Sequence, residues 1–309
     1  MSVISLSLKL VILIVVGFVV KKIKVLPAGF EKGLTRLLLD VALPAIIIQT
    51  FIADDAALSG KDVLILLAVA VGVIAVSAVV GQIFCIARHG SALGKVDRLS
   101  VIVTNFTFFG VPVMETLFGT QGLLYFTIFC IPIRLVYYMG TPLLLVGKAG
   151  GVKETLKNFF SAPVVAIGIG AILYFANIKL PDAITGAVSS LASTATPLGL
   201  ILCGATLTDV DFKQLVRRPV VLLTVAVRLV VLPAIVLILV LLLKIPTEAA
   251  RCAVIYTALP VASMIPTYVI RYMPEETESQ VSGGLLVLIS TLICIVTIPL
   301  WASVLARFL

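Results

Sequence analysis

Thr104-Asn105-Phe106-Thr107-Phe108-Phe109-Gly110-Val111-Pro112 and Thr257-Ala258-Leu259-Pro260-Val261-Ala262-Ser263-Met264-Ile265-Pro266-Thr267 interrupt two long apolar runs. Each stretch mixes Pro or Gly with Asn, Thr or Ser in sequence otherwise apolar enough to lie in a bilayer. Proline removes a backbone donor and clashes with the carbonyl four residues back, and glycine loosens the chain. Lipid cannot satisfy the amides and carbonyls that such a break exposes, so a break must face protein or a water-filled cavity. Pro112 and Pro266 suit the opening of a restarting half-helix. The N-terminus of that half-helix offers free N–H groups and a positive dipole end to an anion. Asn105 adds a donor and an acceptor at the same depth without the cost of a charge. Thr107, Gly110, Pro260, Ser263 and Thr267 complete the candidate site. Two proline kinks with no ligand are the plainer reading; polar clusters at both breaks favour binding.

Everything around these breaks is apolar. The chain has 309 residues, 61% hydrophobic and only 12% charged, against about 25% charged residues in soluble domains. That composition excludes a soluble enzyme, a disordered chain and a disulfide scaffold. A helical crossing needs about 20 mostly apolar residues. Ten runs qualify, roughly 3–20, 34–52, 63–87, 99–118, 122–147, 159–176, 186–207, 219–243, 252–271 and 280–306. The first leads straight into Lys21, Lys22 and Lys24 with no small-residue cleavage site, so it is expected to remain as a helix.

Loop charge sets the expected orientation. Fourteen Lys and Arg lie in the loops after odd-numbered spans (among them Lys32, Arg88, Lys95, Lys148, Lys213 and Arg271), and five on the other side. The first side is therefore expected to be cytoplasmic, with both termini outside. The net charge of +8 is accounted for by this topological code and is no sign of nucleic-acid binding.

The two breaks also sit at matching places in a weak internal repeat. Arg98–Thr104 aligns with Arg251–Thr257, and Pro44 with Pro197, both at an offset of 153; Thr141-Pro142-Leu143 aligns with Ile298-Pro299-Leu300 at 157. Five spans per half is odd, so the second half inserts upside down relative to the first. The expected units are 1–147, a cytoplasmic linker 148–158, and 159–309. Inverted repeats with Gly/Pro-interrupted spans mark secondary transporters, whose substrate site lies near the midplane where the repeats meet.

The spacing N-x-T-x-x-G-x-P from Asn105 to Pro112 resembles span 4 of the auxin efflux carrier family, within the wider group of bile-acid, arsenite and riboflavin transporters. Ala258-Leu259-Pro260 with Pro266 and Arg271-Tyr272 resembles its span 9. Thr196-Pro197 with Gly204 and Leu207 resembles its span 7, and Ser290-Thr291-Leu292 with Pro299-Leu300 its last span. The likeness runs along the whole chain. It implies an all-α polytopic membrane protein whose ten transmembrane helices form two inverted five-helix repeats, with broken helices 4 and 9 crossing. It also implies transport of a small organic anion, a carboxylate of auxin- or malate-like kind, across the cell (inner or plasma) membrane. The short stretch Lys148–Asn158 lacks the long cytosolic insertion of many plant carriers, so a prokaryotic-type member is expected. Phe106, Phe108 and Phe109 bring more aromatic bulk to the break than the family often carries.

Ionisable residues inside spans are functional candidates by default. Asp40 could take part in coupling or pair with Arg36 one turn away. Arg134 and Arg228 could each pair with an anion, or serve as struts. Glu115, one turn past the first break, is expected to be solvated or paired. Five scattered cysteines show neither metal spacing nor a disulfide pattern. No nucleophile–base pair or carboxylate pair marks an enzyme, and no cofactor is expected. The expected partners are the anion and the lipid bilayer, with a homodimer left open. A proton- or sodium-coupled symporter or antiporter, for a solute such as a bile-acid-like anion, is the alternative on the same scaffold.

Overall fold

A computed structural model describes residues 3–25, 27, 29–53, 58–147, 162–206 and 219–309. The described chain is almost wholly helical. Its helices are α1 (Val3–Lys22), α2 (30–52), α3 (Gly60–Ala87), α4 (Ala92–Ile102), α5 (106–118) and α6 (120–146). After the undescribed stretch 148–161 come α7 (Ala162–Phe175), α8 (Asp182–Ala192) and α9 (Ala195–Thr206). Beyond 207–218 follow α10 (Pro219–Leu242), α11 (Thr247–Ala258), α12 (Ile265–Tyr272) and α13 (Thr277–Phe308). Among the described residues, six helical stretches are long and apolar enough to cross a membrane: Lys32–Ile52, Gly60–Ala87, Phe106–Arg134 (α5 with the start of α6), Asp182–Ala205 (α8 with α9), Pro219–Leu242 and Thr277–Phe308. The expected linker 148–158 lies outside the described residues, as do Leu207, Lys148 and Lys213.

Four wide, π-type turns interrupt these helices, and each ends immediately before an X-Pro pair. Leu38–Ala42 precedes Leu43-Pro44, Phe106–Gly110 precedes Val111-Pro112, Val136–Gly140 precedes Thr141-Pro142, and Val227–Val231 precedes Leu232-Pro233. Proline collides with the carbonyl four residues back. Widening the preceding turn by one residue moves that carbonyl aside without breaking the helix. A carbonyl displaced in this way needs another donor, and Leu229 O, four residues before Pro233, finds one in Trp301 Nε1 at 2.8 Å.

Two helices begin well before their apolar runs, by five residues or more. α4 starts at Ala92 because Ser91 Oγ accepts from Gly94 N at 3.2 Å, and α11 starts at Thr247 after Pro246. Asp97 in the lead-in turns of α4 is 1% exposed, bonded to Arg88 Nη1 at 2.7 Å and to Thr224 Oγ1 at 3.1 Å. That pairing is what lets a carboxylate be buried there.

Packing divides the helices into a panel and a body. α1 lies along α9, and the second half of α2 packs on α7 and α8, while α3–α6 and α10–α13 surround the two breaks. The α1–α9 seam is unusually close. A Cβ on Gly17 would fall 2.0 Å from Ile201 O, and one on Gly204 would fall 1.9 Å from Ile14 O. Small residues at such crossings let backbones touch in membranes, where dispersion contacts rather than water exclusion hold helices together.

Candidate functional site

The two breaks meet. Residues 103–105 and 259–264 leave the helical conformation and run antiparallel, with Thr104 bridged to Val261. Asn105 N donates to Pro260 O at 2.9 Å, and Ala262 N donates to Val103 O at 3.3 Å. Each break thus supplies the backbone partners the other lacks, which is how irregular chain is tolerated in an apolar interior.

The carbonyls left over at the ends of α4 and α11 converge on one cation. Arg228, in the wide turn of α10 and fully buried, donates from Nη1 to Val101 O (2.6 Å), from Nη2 to Tyr256 O (3.1 Å) and from Nε to Leu259 O (3.3 Å). The guanidinium also faces the negative dipole ends of both half-helices. Tyr256 adds a bond from its hydroxyl to Ile102 O at 3.1 Å. This geometry gives Arg228 the strut role, with its donors aimed at backbone.

On the opposite side of the crossing, Ser290 Oγ of α13 accepts from Val261 N at 2.9 Å. Replacing Ser290 by Ala orphans that buried amide, which costs about 1–3 kcal/mol. The purified S290A protein is expected to unfold several degrees below wild type in a thermal melt. An unchanged melting temperature would mean that the amide has another partner.

The half-helix N-termini start just past the crossing. α5 restarts at Phe106 rather than at Pro112, because Asn105 Oδ1 caps it by accepting from Phe108 N at 3.3 Å. Asn105 is 5% exposed, and its Nδ2 reaches Cys203 Sγ of α9 at 3.7 Å. Thiol sulfur is a weak acceptor, so this amide can turn toward a better one. α12 restarts at Ile265 with Pro266 in its first turn, as the sequence predicts.

Gly110 is helical, with φ −67° and ψ −45°. A side chain there would strike Leu259 Cδ1 at 2.7 Å and Phe126 at 3.1 Å. Its smallness therefore serves packing of α5 against the second break, not backbone freedom. Pro112 and Pro260 are buried, while Thr107, Ser263 and Pro266 are half-buried. Thr267 lies in α12, and its side chain is outside the described residues.

Met264, at the start of α12, borders a cavity of about 630 Å³ that is also lined by Lys32, Gly33, Thr35 and Arg36 of α2. Lys32, Arg36 and Asp40 are all exposed and recur at intervals of four, so they share one face of α2. The sequence singled out Asp40 but missed the two bases as site candidates. Their four-residue spacing ahead of it was the available signal.

The remaining candidates are dispersed. Arg134 is 3% exposed and stacks 5.0 Å over the Phe106 ring at the start of α5. Phe106 begins a row of ring contacts through Tyr137 and Tyr268 to Tyr272, each pair 5.8–6.0 Å apart. Glu115 accepts a short hydrogen bond from Thr196 Oγ1, so it is paired and ties α5 to α9. All five cysteines are buried, and no metal-binding cluster occurs among the described residues.

Residues 2–302 match the family model described as membrane transport protein. An uncharacterized transporter of Methanothermobacter thermautotrophicus is 28% identical over 214 residues, which cover 65% of this chain and 66% of that protein. Crossed helix breaks inside an apolar helical body accord with that match. The chain belongs to the membrane transport protein family, the auxin efflux carrier family whose span signatures its sequence carries.

Proposed function

We propose that the protein is a secondary transporter that moves a small organic anion, a carboxylate, by alternating access across the cell membrane. The observation that carries this reading is the meeting of the two breaks. It gathers two half-helix N-termini, the Asn105 amide and a cavity edged by Lys32 and Arg36 around one level of the fold. Helix N-termini and basic side chains favour anions. A carboxylate at the crossing would take the Asn105 amide and the N–H groups past Ser263, with Thr107 and Thr267 beside it. Arg134 would add long-range attraction.

Two inverted five-helix repeats are the architecture that best accounts for the antiparallel pairing of breaks 153–157 positions apart in the repeat. In this reading the body carrying the crossing moves against the panel of α1, α2, α7, α8 and α9. Asn105–Cys203 and Glu115–Thr196 are contacts that change between states. The loop charges favour an orientation with both termini outside and the Lys32–Arg36 cavity toward the cytoplasm.

Flux of labelled malate, succinate and indole-3-acetate into proteoliposomes tests the proposal. Asn105→Asp keeps the oxygen that caps α5 but replaces the donor with a negative charge. It is expected to stay folded in a thermal melt while losing carboxylate flux at least tenfold. An N105D protein with wild-type flux of a transported carboxylate, or a wild type that moves none of the carboxylates and a neutral solute instead, would overturn it.

A further inference from the structure

A groove away from the crossing has no part in the transport reading. It runs between α3 and α10, has a volume of about 270 Å³, and is lined by Val69, Gly72 and Val76 on one side and Leu239 and Leu243 on the other, with Ile245 at its end. Every lining residue is apolar, so nothing inside it can hold water or a polar solute. A dry furrow on a membrane-facing surface must be filled by something with a hydrocarbon body.

Its size selects the occupant. The lining runs from Ala68 to Val76 along α3, which is about 12 Å of helix. A helix with its side chains is about 10 Å across, so 12 Å of one would displace roughly three times this volume. Another helix, including one from a second copy of the chain, is too thick to enter. A single extended hydrocarbon chain of roughly ten methylenes matches both the length and the volume.

The end of the groove adds a charge. α10 closes with a Schellman cap: Ile245 N donates to Val240 O at 2.9 Å and Lys244 N to Leu241 O at 3.2 Å, with Lys244 in the left-handed region at φ 52°. This cap folds Ile245 back onto the groove while leaving Lys244 exposed at its mouth. Lys61 of α3 is also exposed and lies two turns before Ala68 on the same face. Asp62 beside it is occupied in capping α3 through Ser59. Two bases thus stand at the water-facing end of a furrow shaped for one acyl chain.

We propose that this groove is a binding site for one anionic phospholipid, with an acyl chain between α3 and α10 and its phosphate at Lys244 and Lys61. The chain is held by dispersion contacts with the groove walls, and the two lysines supply the preference for an anionic headgroup.

Gly72 permits a clean test. A Cβ there meets nothing within 4 Å, and the same holds for Gly168 on α7, outside the groove. Gly72→Phe therefore projects a ring from the furrow wall through a Cβ that meets no other atom, and Gly168→Phe is the matched control. Detergent-purified proteins are incubated with dioleoylphosphatidylglycerol or dioleoylphosphatidylcholine, washed, and read by native mass spectrometry.

Wild type and G168F are expected to retain one phosphatidylglycerol, and G72F to retain at least tenfold less with an unchanged melting temperature. K61Q/K244Q is expected to retain both lipids equally. Retention by G72F at the wild-type level, equal loss in G168F, or no lipid on the wild type overturns the site. A dimer that G72F converts to monomer overturns it in favour of a contact between copies. Unaltered headgroup preference in K61Q/K244Q overturns the role of the lysines.

Discussion

Arg228→Met is expected to leave little folded protein after purification, and what remains to melt well below wild type. The substitution is similar in length and removes a fully buried charge, so relief of desolvation offsets part of the loss. It also removes the Arg228 donors from Val101 O and Leu259 O, at the dipole ends of α4 and α11, and leaves Tyr256 O with Leu259 N alone at 3.3 Å. Each unsatisfied buried carbonyl costs about 1–3 kcal/mol. The net expectation is a loss of about 2–5 kcal/mol, comparable to half the stability of an ordinary domain. Arg228→Lys is expected to fall between, because an ammonium cannot span three acceptors that lie in a fork. Size-exclusion profiles and melts of the three proteins check this. An R228M protein that elutes and melts like wild type would show that the carbonyls have other donors.

Gly204→Ala is expected to have the second-largest effect. One added methyl would lie 1.9 Å from Ile14 O, and the atoms it meets are backbone, which cannot move aside singly. α1 must shift away from α9 along the whole seam. Overpacking of this kind costs about 1–3 kcal/mol, and a backbone obstacle places it at the upper end. Gly17→Ala meets Ile201 O at 2.0 Å and is expected to cost about the same. The double variant is expected to cost less than the sum, since the first methyl already opens the space for the second. Gly168→Ala, with nothing within 4 Å, serves as the neutral reference. Melting temperatures of G204A and G168A that agree within a degree would refute the close seam.

The positions of the breaks were legible because Pro112, Pro260 and Pro266 fall beside Asn105, Thr107, Ser263 and Thr267, polar residues that set these stretches apart from the other prolines in apolar sequence. That the breaks face one another was implied only by family likeness, since backbone pairing between Thr104 and Val261 needs no particular side chain. Arg228 could be seen as an intramembrane cation, but nothing in its neighbours marks it as strut rather than ligand. Its acceptors are carbonyls, which every residue carries. The wide turns were hidden for a related reason. Proline announces a disturbance, yet Pro132 and Pro299 sit inside helices, so proline alone does not say how the chain will accommodate it. Gly110, Gly199 and Gly204 look alike in sequence and differ in what they approach: Leu259, Phe108 O and Ile14 O.

The antiparallel join has a consequence for biosynthesis. Val103 O and Asn105 N bond to Ala262 N and Pro260 O, more than 150 residues later in the chain. At about 5–20 residues per second, the first break spends roughly 8–30 s after its own synthesis without those partners. During that interval Asn105 N and Val103 O must be held by the insertion machinery, by water admitted to the nascent bundle, or by a temporary helical conformation across 103–105. Completion of the crossing is therefore a late event, gated by emergence of the second break from the ribosome.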